Sequence, residues 1–261
     1  MKKQVRQIGN PIEAIASHHS RRRRQRRGDI LTRDNYSDET SGHPGRALQR
    51  KITMKMVMVG GHTRNIGKTS VVEGIIRGLP EMGWTAIKIT QFGHGVCSTS
   101  GELCDCAVAE HAFAITSERR TDSGTDTARF LAAGARRALW VRTGQGELLA
   151  ALPALKEAIA DDEYVIVESN SLRRFIKPAL YLQVLDPHHP DFKKSAQQFF
   201  DLADAYLVID RPSSATSDAA ATQALLLERE IKRGKPGLAV SAEDRFMNQA
   251  VLDFIRAQLA R

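Results

Sequence analysis

Residues Val57 to Ile75 read VMVGGHTRNIGKTSVVEGI. The apolar run Lys55–Val59 stops at two glycines, a short polar loop follows, and GKTS then opens a segment with apolar residues at Val71, Val72, Ile75, Ile76 and Leu79. That spacing is helical, so the order is strand, loop, helix. A loop of this kind suits a phosphate. Successive backbone N–H groups converge on the anion, and the positive end of the following helix dipole faces it. Glycine lets the chain come close and take conformations that a Cβ forbids. In the pattern G-x-x-x-x-G-K-[ST] the lysine reaches the terminal phosphates and the hydroxyl ligates Mg²⁺. Lys68 and Thr69 fit those roles. Gly61, Thr63, Arg64, Asn65, Ile66, Gly67, Lys68, Thr69 and Ser70 form the expected nucleotide-binding set. Five residues, rather than four, separate Gly61 from Gly67.

The lengthened form G-x-x-x-x-x-G-K-T resembles the loop of dethiobiotin synthetase and the amidating cobyrinate synthases. They belong to the class of P-loop proteins that also holds the MobB-type molybdopterin-guanine dinucleotide biosynthesis proteins. Some members of that class carry an early lysine that reaches across a dimer to the partner's nucleotide. Here Thr63 holds that place, with Arg64 beside it.

With 42% hydrophobic and 26% charged residues, the 261-residue chain has the composition of an ordinary soluble globular protein. It contains no apolar run near the ~20 residues that span a bilayer. Its basic start lacks the apolar core of a signal peptide, so the expectation is a cytoplasmic protein with no membrane partner. The net charge of +8 is unevenly distributed: residues 1–50 hold 12 Lys+Arg against 5 Asp+Glu, leaving 26 against 25 for the remainder. The basic part includes RRRRQRR, Arg21–Arg27, and has too few large apolar residues to offset the entropy of ordering. Residues 1–53 are therefore expected to be a disordered basic extension, and 54–261 a P-loop NTPase domain. Without aromatic interleaving or a basic fold behind it, the arginine run reads as a dispensable extension rather than a binding arm, and it is the one place where nucleic acid could bind.

Further short, nearly continuous apolar runs follow the first helix: TAIKIT (Thr85–Thr90), ALWVRT (Ala138–Thr143), YVIVES (Tyr164–Ser169), ALYLQVLD (Ala179–Asp186), AYLVID (Ala205–Asp210) and GLAVSA (Gly237–Ala242). Runs without alternation mark parallel strands buried on both faces. Helical composition separates them, at 126–134, at 148–159, and in SAQQFFDLADA, DAAATQALLLEREIKRG and EDRFMNQAVLDFIRAQLA. The expected fold is α/β, a doubly wound and mostly parallel sheet of about seven strands, with ligands beyond the carboxyl ends of the strands.

P-loop chemistry needs a carboxylate at the end of a nearby strand, because Mg²⁺ takes oxygen ligands. Glu168 ends a strand and is the candidate, whereas Asp161 and Asp162 precede that strand and fall at its opposite end. DEYVIVESN resembles the VEG strand of dethiobiotin synthetase and MobB-type proteins, with Asn170 where glycine is usual. TAIKIT, with Lys88, resembles the second MobB strand, in which a lysine closes a similar run. DTARFLAAGARRALWV, Asp126–Val141, is similar to the MobB segment in which an Asp-Ser-Xaa-Arg run leads through Ala-Gly-Ala into a strand. Together these similarities run over residues 56–186. They imply a protein of cofactor metabolism that binds ATP or GTP, with Lys68 and Thr69 on phosphate and Mg²⁺, Glu168 and Asp126 near the metal, and Lys88 facing the transferred phosphate. No Asn-Lys-Xaa-Asp motif selects guanine, so ATP and GTP both stand. The partners implied are another cofactor-biosynthesis protein and a second copy of the chain in a homodimer.

All three cysteines, Cys97, Cys104 and Cys106, lie within ten residues, flanked by His94 and His111. An odd, bunched set argues against a disulfide framework. Three thiolates and an imidazole can hold tetrahedral Zn²⁺ or part of an iron–sulfur cluster, while a metal-free insertion or a redox thiol are the alternatives. Three functions follow as expectations: an Mg²⁺-dependent NTPase acting as adaptor or energy-coupled factor in cofactor or metal-centre assembly, an ATP-dependent ligase or kinase on a small carboxylate, and a nucleotide-gated metal-binding module.

Overall fold

The computed structural model describes residues 53–92, 112–187, 189, 191–210, 227–230 and 233–261. The basic extension and the cysteine cluster lie outside the described residues. Eight strands form one sheet: β1 (Lys55–Gly61), β2 (Thr85–Phe92), β3 (Phe113–Ser117), β4 (Arg137–Gly144), β5 (Tyr164–Glu168), β6 (Leu180–Leu185), β7 (Ala205–Asp210) and β8 (Gly237–Ser241). Their order is β3-β4-β2-β5-β1-β6-β7-β8. All neighbours pair in parallel except β3, which runs antiparallel to β4. The apolar runs mark seven of these strands. The eighth, β3, is a half-exposed edge segment, FAITS, whose apolar stretch is only Phe113 to Ile115 and which the sequence reading does not mark as a strand.

The doubly wound character follows from the two faces of β1. Val57 and Val59 pack on one side against α1 (Lys68–Gly78), and Met56 and Met58 join the core on the other. On the first side α1 buries Val71, Val72, Ile75 and Ile76 at helical spacing, next to Phe130 of α2 (Asp126–Ala132). Each such aliphatic side chain contributes roughly 1.5–3 kcal/mol through burial. On the second side α3 (Leu148–Ala158) buries Leu148, Ala151, Leu152 and Leu155. A short α4 (Lys194–Gln198) and a terminal α5 (Gln249–Leu259) complete the layers.

Two segments expected to be helical are only partly so. SAQQFFDLADA makes α4 and a single 3₁₀ turn, Phe200–Leu202, because Phe199 and Phe200 turn into the core. In the last segment Arg245 and Phe246 have φ of 53° and 59°, incompatible with a helix. The helix α5 starts only beyond Asn248, whose side chain caps it by accepting the Val251 N–H at 3.2 Å. Of DAAATQALLLEREIKRG, residues 227–230 are described as helical. No helix among the described residues is long and apolar enough to cross a membrane.

Candidate functional site

The strand β1 is flanked by β5 and β6, and the loop leaving its carboxyl end leads directly into α1. Gly67 caps α1 with φ of 88°, a left-handed conformation that a side chain would strain. Asn65, at φ 55°, uses the tolerance of asparagine for the same region. Gly61 is required for close approach, since a Cβ there would come within 2.8 Å of both Ile66 and Lys68. Ile66 is fully buried and anchors the middle of the loop in the core, whereas Arg64 and Asn65 stay at the surface.

Four separate stretches of sequence meet at this loop. Thr69 donates its hydroxyl to Glu168 Oε2 at 2.8 Å. The ammonium of Lys88 lies 2.6 Å from Glu168 Oε1 and 2.7 Å from Asp126 Oδ2. Lys68 donates Nζ to the Thr63 carbonyl at 2.5 Å. Ser70 is held by the guanidinium of Arg129, 3.1 Å away, which also makes a two-pronged contact with Glu73 at 2.8 and 3.0 Å. The register of the sheet explains the meeting of Lys88 with Glu168, because the two are paired positions on β2 and β5. Asp126 arrives at the start of α2, which Thr125 caps by accepting the Ala128 N–H.

The electrostatics of the cluster follow from burial. Burial pushes the Lys68 ammonium down to about 8, helped by Lys88 and Lys193 and opposed by Glu168 and Asp126. Burial also acts to depress Lys88, but the two carboxylates outweigh it and hold this ammonium above its ordinary value. Among the described residues no group of three or more His, Cys, Asp or Glu side chains is arranged to hold a metal. The oxygens that fit Mg²⁺ here are the Glu168 and Asp126 carboxylates, which share the Lys88 ammonium, and the Thr69 hydroxyl, which is bonded to Glu168. Asp162, at the other end of β5, is instead a buried structural anchor paired with Arg136 and Arg137.

Several site residues carry no motif that sequence reading could use. Asn170 clamps the peptide of Gly61 from both sides, accepting its N–H at 2.8 Å and donating to its carbonyl at 2.7 Å. The Phe246 ring packs against Gly67, on one of two consecutive residues with positive φ. The chain after β6 lies along the first half of the loop: the His62 N–H donates to Val184 O at 3.3 Å, the Asp186 N–H to His62 Nδ1 at 3.4 Å, and the Lys193 N–H to His62 O at 2.9 Å. The Thr63 hydroxyl donates to the Asp191 carboxylate. His62 is fully buried, and burial pulls its pKa down to about 4. Cys97, Cys104, Cys106, His94 and His111, the expected zinc or iron–sulfur ligands, lie outside the described residues.

The strand, glycine-bearing loop and helix at the centre of a mostly parallel sheet have the arrangement of a P-loop fold. No protein-family model matches the chain, and no curated protein matches it in sequence. Among solved structures it is similar to LpxK from Aquifex aeolicus, an "apo" form in complex with ATP, at 16% identity and a TM-score of 0.35, covering 61% of this chain and 49% of that one. It is also similar to FlhF complexed with GTP and Mg²⁺, at 14% identity and a TM-score of 0.33, covering 74% and 67%. The chain thus spans about half the length of LpxK.

Proposed function

We propose that the chain binds a nucleoside triphosphate at the Gly61–Ser70 loop in a Mg²⁺-dependent manner and carries out chemistry at its terminal phosphate. The observation that supports this best is the single hydrogen-bonded cluster of Thr69, Glu168, Lys88 and Asp126 beside Lys68. In this reading the backbone N–H groups that open α1 cradle the phosphates, and Lys68 leaves the Thr63 carbonyl to contact them. Thr69, Glu168 and Asp126 would hold Mg²⁺, which would supply positive charge at the phosphates. Lys88 keeps the two carboxylates apart and charge-balanced, and its ammonium lies where it can also meet a phosphoryl oxygen.

The similarity to MobB-type proteins supports an adaptor or energy-coupled role in cofactor assembly. Lys88 favours a second reading, phosphoryl transfer to a small carboxylate, as the similarity to dethiobiotin synthetase implies. There an acceptor oxygen forms the new bond to phosphorus and the nucleoside diphosphate leaves with the electron pair. A steady-state phosphate-release assay with ATP and with GTP, with and without a panel of small carboxylic acids, separates the two. Turnover without acceptor supports the adaptor reading, and turnover only with an acid supports transfer. In either case Lys68→Ala abolishes turnover without lowering the melting temperature, and Glu168→Gln slows turnover more than it weakens binding. Unchanged turnover in Lys68→Ala would sink the assignment.

A further inference from the structure

Besides Arg129, which is paired with Glu73, four cations lie near the loop, and they differ in what neutralises them. Lys88 lies between two carboxylates, and Lys68 has the Thr63 carbonyl. Lys193 and Arg64 have neither a side-chain hydrogen bond nor an ion pair among the described residues, although both are only partly exposed. We propose that Lys193, with Arg64 beside it, is a second cationic contact for the terminal phosphate of a nucleotide held at the loop, delivered from the segment after β6 of the same chain. This inference rests on the nucleotide-binding reading above and adds to it the residues that distinguish a triphosphate from a diphosphate.

Position carries the assignment. The Lys193 N–H bonds the His62 carbonyl at 2.9 Å, and the neighbouring Thr63 carbonyl receives Lys68 Nζ at 2.5 Å. Lys193 is therefore tied to the part of the loop that the tip of Lys68 touches, and that tip is the group expected to meet the terminal phosphates. Two further bonds, Asp186 N–H to His62 Nδ1 and the Thr63 hydroxyl to Asp191, tie Asp186 and Asp191 to the same part of the loop. The carboxylate of Asp191 is engaged by Thr63 and forms no ion pair with Lys193. Burial, and then the nearby Arg64 guanidinium, hold the Lys193 ammonium below its ordinary value, and the Asp191 carboxylate offsets them only in part. Two neighbouring, partly buried cations repel one another, and a polyanionic ligand between them would offset that repulsion.

The test is isothermal titration of non-hydrolysable ATP and GTP analogues, and of ADP and GDP, into the full chain in Mg²⁺ buffer. Proteins compared are wild type, Lys193→Ala, Lys193→Arg and Lys68→Ala, with thermal melts of each. Loss of one charge-assisted phosphate contact is expected to weaken the triphosphate by roughly tenfold to a hundredfold in Lys193→Ala. The diphosphate should change by less than about twofold, since it lacks the group Lys193 contacts. Lys193→Arg recovers most of the loss, and the ligand-free melt of Lys193→Ala is unchanged or raised because a repulsion is removed. An unchanged ratio of triphosphate to diphosphate affinity in Lys193→Ala overturns the inference; if Lys68→Ala weakens both nucleotides in that experiment, the nucleotide-binding reading survives alone. A wild type that binds neither nucleotide overturns both.

Discussion

Replacing Lys88 by methionine keeps the apolar stem and removes an ammonium that touches two carboxylates at once. Glu168 is 4% exposed and Asp126 34%, so the two contacts differ in weight. Removing one partner of a buried ion pair costs roughly 3–5 kcal/mol, because the other charge is left without compensation. The Asp126 contact, a third exposed, is screened and counts for about 0–1 kcal/mol. Thr69 still donates to Glu168 at 2.8 Å and softens the loss. The net expectation for Lys88→Met is a loss of about 2–4 kcal/mol in ligand-free buffer without divalent cation. The double variant Lys88→Met, Glu168→Gln carries no orphaned buried charge, so it should be less destabilised than the single changes summed, by about 2 kcal/mol. Urea unfolding followed by circular dichroism measures both, with the slope checked for constancy across variants. Arg120→Met is the control: its pair with Asp122, at 2.9 Å, is a comparably close contact but is about 70% exposed on both sides and should cost nothing measurable. A Lys88→Met loss under about 0.5 kcal/mol, or strict additivity in the double variant, would show that the cluster is not the coupled unit described.

Asn170→Ala removes both hydrogen bonds to the Gly61 peptide and is expected to cost about 1–3 kcal/mol, with a matching loss of nucleotide affinity. A normal melt and normal affinity would show that the loop does not depend on this clamp. Lys68, with its pKa near 8 in the free protein, is raised by a bound phosphate, so nucleotide binding at pH 8 should take up protons and binding at pH 6.5 should not. Calorimetry in buffers of different ionisation enthalpy detects that difference, and the same heat in every buffer at pH 8 contradicts it. His62 titrates near 4 when folded and near 6.5 when unfolded, so the unfolded chain binds more protons between those values. Stability is then present above pH 6.5 and falls as pH drops towards 4, by on the order of 3 kcal/mol from this group. His62→Gln should flatten that part of a urea-midpoint profile, and an unaltered acid slope would assign it elsewhere.

The local covalent pattern already contains the central strand, the phosphate loop and α1, because Gly67-Lys68-Thr69 and the apolar spacing of Val71 to Ile76 are properties of adjacent residues. The parallel strands are legible for the same reason, since burial on both faces demands continuous apolar runs. Glu168 is recognisable from its place at the end of one such run. The edge strand β3 is not, because a strand that pairs on one side and meets solvent on the other needs no such run. Sequence order also hides which charges meet. Lys88, Asp126 and Glu168 are separated by 38 to 80 positions, and only strand register and the start of α2 bring their atoms within 2.7 Å. Asn170 and Lys193 are silent in the sequence for a further reason. Each acts through backbone contacts to Gly61 or His62, and a backbone partner leaves no side-chain signature at its own position. The loop itself is written in a dozen neighbouring residues, whereas which cations and carboxylates surround it depends on long-range pairing that only the folded sheet supplies.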